Sequence, residues 1–217
     1  MVPHPTPLLA RLTLLTLVAS ALVFGSSSAE ADANIKRTAR GKTIRWDRAI
    51  LHVCLSDAAR ALPRIDEHLD AAMDVWNDTG VTPFFDRGGR SCEVEIDYGR
   101  GRVATTPLPL ATSTLTYDRT TGEASLAEIV FDTRYAGQLG DAARNSSAYD
   151  IRGILVHELG HALGLDEDVL PGTAMTTTTG RGETIKRALA AADQRAIRRL
   201  YGPGAEATVA AARPTAE

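Results

Sequence analysis

Apolar positions fall along the chain in short runs whose period changes from segment to segment. Ile50 to Leu55 is a near-continuous apolar run of strand length and predicts a buried strand. From Ile65 the spacing changes: Ile65, Leu69, Met73 and Trp76 recur every three or four residues, so one face of a helix is apolar. Pro63 suits the first turn of that helix, and Asn77-Asp78-Thr79-Gly80 closes it. Pro83-Phe84-Phe85 predicts a short strand, with a turn at Asp86 to Gly89. Cys92 to Tyr98 alternates and predicts a strand exposed on one face. Thr112 to Tyr117 and Leu126 to Phe131, joined by a turn at Asp118 to Gly122, predict a hairpin. Ile151, Ile154, Leu155, Leu159 and Ala162 mark a second helix, with Ser147 and Asp150 spaced as a capping box ahead of it and Gly164 as its left-handed stop. Leu189 to Tyr201 predicts a third helix with Ile197 and Leu200 inward. Residues 32–48 read as a polar, extended lead-in, residues 99–111 and 136–146 as loops, and no repeat is present.

The two ends stand apart. Arg11 precedes an apolar stretch from Leu12 to Phe24, and small residues follow it. The stretch is too short for a bilayer span and suits a secretory signal peptide, taken as residues 1–31, with cleavage after Ala29, Ala31 or Ala33 all fitting a small-x-small rule. Residues 203–217, of Ala, Pro and charge, predict a disordered tail, which leaves one domain over residues 32–202. An extracellular destination makes a disulfide between Cys54 and Cys92, the chain's two cysteines, the expected state, and it would set the Cys92 strand beside the Ile50 strand.

Composition narrows the class. The chain has 217 residues, 44% apolar and 24% charged, so it can bury a core and is not a disordered chain. Its formal net charge of −3 does not supply the concentrated basic face that nucleic acid requires. No membrane span and no nucleic-acid partner are expected.

The second helix carries His157-Glu158-Leu159-Gly160-His161. Histidines at i and i+4 stand one turn apart on one face, close enough to share a Zn²⁺ at about 2.0–2.1 Å each. Glu158 follows the first of them, where it can reach a metal-bound water without ligating, which is the HExxH arrangement of zinc hydrolases. Zinc also takes a third protein ligand and keeps one position open. The chain has five histidines: His4 lies in the signal segment, His52 reads as a strand residue and His68 as an exposed helix residue, and none follows His161. A carboxylate is therefore the expected third ligand, from Asp166, Glu167, Asp168, Glu183 or Asp193.

The run from His157 through Gly164 to Glu167 resembles the metzincin proteases, whose pattern is H-E-x-x-H-x-x-G-x-x-H, with Asp at the last place in some small secreted bacterial members. The resemblance puts Glu167 at the third ligand position, Gly164 at the bend that turns it toward the metal, and Met175 in Pro171-Gly-Thr-Ala-Met175 at the supporting Met-turn. Glu in place of His or Asp is the main departure, and its extra length leaves Asp166 and Asp168 as neighbours to test. Residues 68–84, 127–132 and 192–202 are similar to the corresponding parts of matrix-metalloprotease-like domains. The resemblance implies an α+β fold: a twisted, mostly parallel sheet of about five strands with an antiparallel edge strand, three main helices and a zinc cleft. It implies a monomeric, secreted zinc endopeptidase acting on peptide or protein substrates, with Glu158 as general base, the substrate extended along Thr112 to Tyr117, and loop 171–182 walling the pocket just past the cut. Calcium held by loop carboxylates such as Asp132 is a further expectation, and a second structural zinc is not expected, because residues 99–146 contain no histidine. Two rival readings remain: a gluzincin-type peptidase with Glu183 as third ligand, and a secreted zinc-binding module without turnover.

Overall fold

The computed structural model of the chain describes residues 35–101 and 108–203. The signal segment 1–31, the tail beyond 203 and part of the 99–111 loop lie outside the described residues. Five strands form one sheet: β1 (Ile50–Leu55), β2 (Phe84–Arg87), β3 (Val94–Gly99), β4 (Ala111–Tyr117) and β5 (Ala124–Asp132). Their order is β2-β1-β3-β5-β4. The first four pair in parallel, and β4 closes the sheet as an antiparallel edge on β5. Three helices complete the frame: α1 (Ile65–Asn77), α2 (Ile151–Ala162) and α3 (Ala191–Tyr201). This is the mixed α+β architecture that the resemblance implied. No helix among the described residues is long and apolar enough to cross a membrane.

The core lies between the sheet and the packed helices. Inward positions of the parallel strands, Leu51, Val53, Val94, Ile96, Ile129 and Phe131, are almost fully buried, as a sheet covered by helices requires. Two tryptophans hold the helices together with their polar edges satisfied. Trp76 in α1 donates Nε1–H to the Val156 carbonyl of α2 at 2.9 Å, and Trp46 donates to Ala162 O at 2.7 Å. The Asn77 side chain both donates to and accepts from the Phe85 backbone, at 2.9 and 2.8 Å, and so fastens β2 to the end of α1. Cys54 and Cys92 form the disulfide, with Cα atoms 5.7 Å apart, and Cys54 is in β1 next to β3.

Four local expectations are corrected. The 32–48 lead-in is not a polar appendage: Ile35, Ile44 and Trp46 are core residues, and Ile35 bridges to Leu165. They alternate with polar neighbours over too few residues to give a period. His68 is buried, because the chain around Asp141 and Asp150 covers that side of α1, a contact no helical period encodes. Helix α1 begins at Ile65 after Arg64 at φ 53°, two residues beyond Pro63. The cap of α2 is Asp150 rather than Ser147, because Asp150 takes the extended conformation beside the first turn and accepts the Gly153 amide at 2.8 Å.

Candidate active site

The site is carried by α2, and its N-terminus is held by a charged anchor. Asp150 is fully buried, accepts the Ala142 amide at 3.1 Å in addition to the Gly153 amide, and takes Nε–H of Arg187 at 2.8 Å. The paired carboxylates Asp150 and Asp141 push the Arg187 guanidinium pKa up despite its burial. From this anchor, one helical turn separates His157 from His161, whose ring centroids lie 4.6 Å apart. After α2 the chain turns at Gly164, with φ +101°, a conformation that L side chains rarely adopt. A Cβ there would also stand 2.5 Å from the Ile44 carbonyl.

That bend brings Glu167 back to the imidazoles. One oxygen of Glu167 lies 3.3 Å from His161 Nε2 and 3.6 Å from His157 Nε2. Among the described residues, these three form the one group of three or more His, Cys, Asp and Glu side chains able to share a metal ion, with ligand atoms all within 4.8 Å of each other. The opposite ring nitrogens face backbone carbonyls: His157 Nδ1 is 2.8 Å from Ala174 O, and His161 Nδ1 is 2.9 Å from Leu165 O. A carbonyl only accepts, so each Nδ1 carries a hydrogen and each ring presents its Nε2 to the carboxylate. Two ring nitrogens and a carboxylate oxygen thus converge, a donor set suited to a divalent cation. This is the orientation that outer-shell partners impose on metal-binding imidazoles.

Glu158 sits beside this group, buried, with Oε2 lacking any hydrogen-bond partner. It lines a cleft of about 700 Å³ together with His157, His161 and Glu167. The cleft runs along Ala111 to Thr114 of β4, the sheet's antiparallel edge, and is bounded on the other side by Thr177 to Thr179. A carboxylate that lines such a cleft and has an oxygen not spent on a protein partner is suited to take a proton from a water or a substrate.

The other candidate carboxylates have separate duties. Asp166 accepts the Glu167 amide at 3.0 Å, and Asp168 accepts the Leu170 amide at 2.9 Å. Glu183 accepts the Gly180 amide at 2.6 Å, outside the trio. Asp193 is buried beneath the Met-turn. His52 pairs with Glu93 at 2.9 Å, away from the cleft. Asp132, the expected calcium contact, already has both oxygens engaged by Arg134, with Nε at 2.8 and 2.9 Å. That guanidinium supplies the positive charge an ion would bring.

Met175 is almost fully buried beneath the helix that bears the histidines. A Cβ on Gly160, between His157 and His161, would collide with its Sδ and lie 2.8 Å from Trp76 Cζ2, so the glycine is what lets the Met-turn seat here. Over residues 45–202 the chain matches the matrixin family of peptidases. It belongs to that family. This matrixin is accordingly a zinc-dependent peptidase, of hydrolase class. Among curated protein sequences, none matches the chain.

Two cleft residues of the matrixin carried no signal in the sequence. Lys36, in the lead-in, lines the cleft because its amide donates to Gly164 O at 2.8 Å. Burial pulls its pKa down, against the attraction of Asp166, Glu158 and Glu167. Lys186 enters from the 3₁₀ turn Ile185–Arg187 and is buried. Neither belongs to a motif; only the folded chain brings them to α2.

Proposed function

We propose that this matrixin is a secreted zinc endopeptidase in which His157, His161 and Glu167 hold the metal and Glu158 is the general base. One observation carries the reading: two Nε2 atoms and a Glu167 oxygen converge within metal-sharing reach, with Glu158, whose Oε2 has no partner, lining the same cleft. Zn²⁺ in such a site supplies Lewis acidity at a carbonyl and lowers the pKa of a water.

The protein's own groups account for the rest. The Ala174 and Leu165 carbonyls fix the ring tautomers and so keep both Nε2 atoms available. The Glu158 carboxylate accepts a proton of the attacking water and returns it to the leaving amine nitrogen, so the proton count balances over the cycle. The free edge of β4 receives an extended peptide by backbone hydrogen bonds, as an added antiparallel strand. Loop 171–182 walls the pocket for the side chain after the cut. The apolar N-terminal stretch and the Cys54–Cys92 disulfide support export to an oxidising compartment.

The deciding experiment is hydrolysis of an internally quenched peptide by wild type, by wild type with chelator, and by Glu158→Ala at matched zinc content. Expected are loss of activity with chelator, recovery on adding zinc, and a Glu158→Ala rate lower by about 10²–10⁴-fold. A Glu158→Ala protein that cleaves at the wild-type rate removes the general-base role. Mass spectrometry of the exported chain should show an N-terminus at Glu30, Asp32 or Asn34.

A further inference from the structure

Lys186 stands in the wall of the catalytic cleft with no carboxylate in direct ion-pair contact; burial pulls its pKa down, against longer-range attraction from Glu167, Glu158, Glu183 and Asp193. It is 5% exposed and lines the cleft with Tyr149, Ile154 and Thr177 to Thr179. Its ammonium has three N–H donors. One goes to the Thr176 carbonyl. The next nearest group, His157 Nδ1 at 3.3 Å, has no lone pair to offer, because its hydrogen is directed at Ala174 O. Among the described residues, no carboxylate pairs with Lys186. The acids that attract it from further off have other duties: Glu167 faces the two histidines, Glu158 is the proposed base, Glu183 holds the Gly180 amide and Asp193 the Met-turn amides. A buried charge with unspent donors is costly until something in the cleft accepts from it.

We propose that Lys186 makes this matrixin select an acidic residue, Glu or Asp, immediately after the cleaved bond. The inference rests on the peptidase reading above and adds to it the chemistry of the pocket that loop 171–182 encloses. Ile154 and the Tyr149 ring cover the methylenes of the incoming side chain, and its carboxylate accepts from the Lys186 ammonium. A charge-assisted hydrogen bond in a water-poor wall is stronger than a neutral one of the same geometry, so an acid is preferred over its amide.

The test uses four peptides that differ only at the position after the cut, bearing Glu, Gln, Leu or Lys. With the zinc-loaded full chain, kcat/KM for Glu should exceed that for Gln by about tenfold or more, carried mainly by KM, with Lys the poorest. Lys186→Met should bring the Glu/Gln ratio close to one, and Lys186→Arg should restore part of it. A purely structural Lys186 would change all four peptides together. Binding of the same peptides to the Glu158→Ala protein, followed by fluorescence anisotropy, should give the same order without turnover. A Glu/Gln ratio near one in wild type, or one that survives Lys186→Met, overturns the proposal. If no peptide is cleaved, the peptidase reading fails, and the binding order still decides the selectivity. If Lys186→Met does not fold, wild type against Lys186→Arg carries the comparison.

Discussion

Asp193 supports Met175 from beneath: its carboxylate accepts the Met175 amide at 3.4 Å and the neighbouring Ala174 amide at 2.9 Å. It also accepts the Ala190 amide at 2.8 Å, at the start of its own helix. The Ala174 carbonyl then orients the His157 ring at 2.8 Å. A residue of α3 thus sets a metal-facing imidazole through one peptide unit. Burial pushes the Asp193 carboxyl pKa up in spite of its amide donors.

Asp193→Ala should leave those amides buried without an acceptor and cost about 2–4 kcal/mol of stability, read as a lower urea midpoint. Zinc affinity should also fall, by about 10- to 100-fold, in a competition titration with a chromophoric chelator, because an outer-shell support is lost. Unchanged zinc affinity would show that the Met-turn does not orient His157.

The bend at Gly164 is predicted to reject any side chain. Gly164→Ala meets both φ +101° and the Ile44 carbonyl, and should destabilise by about 1–3 kcal/mol. Gly160→Ala should cost a similar amount by overpacking against Met175 and Trp76. Denaturant unfolding with an unchanged m-value checks both. The Gly164 variant should also bind zinc more weakly, since Glu167 depends on that turn.

Metal analysis separates the two candidate third ligands. Glu167→Ala purified under native conditions should carry much less zinc than wild type, whereas Glu183→Ala should carry the same amount. The reverse result would favour the gluzincin arrangement.

The Glu93 carboxylate predicts an acid-dependent loss of stability. Burial raises its pKa, but the His52 amide and ring, the Ser91 hydroxyl and Arg48 outweigh that and lower it from 4.5 to about 2. Because the folded value is depressed, the contribution is fully present above about pH 4.5 and is lost as pH falls toward 2. It amounts to at most about 3 kcal/mol. Glu93→Gln should flatten stability across that window, and a Glu93 carboxyl titrating near 4.5 by NMR would contradict the account.

The site was legible in the sequence to the extent that it is local. His157, Glu158 and His161 are positioned by helical periodicity alone, and Gly164 by the need for a left-handed residue at the end of α2. Glu167 could be picked from five carboxylates only through its resemblance to a family pattern, because an irregular turn has no period that aims a side chain. The strands were legible for a similar reason: alternation in Cys92 to Tyr98 and the apolar run Ile50 to Leu55 each encode burial within a few residues. Ile35, Ile44 and Trp46 were not, because their burial depends on contacts with Leu165, Ala162 and other residues more than a hundred positions away.

By itself, the sequence determined the elements and the chemistry carried on one helix, since both are written in spacings shorter than two turns. Tertiary structure alone decided the rest: the paths that bring Lys36 and Lys186 into the cleft, the support Asp193 gives the Met-turn, the guanidinium that takes up both oxygens of Asp132, and Asp150 rather than Ser147 at the head of α2. Each depends on which distant backbone amide, carbonyl or charge lies within hydrogen-bond reach, and chain spacing carries no information about that distance.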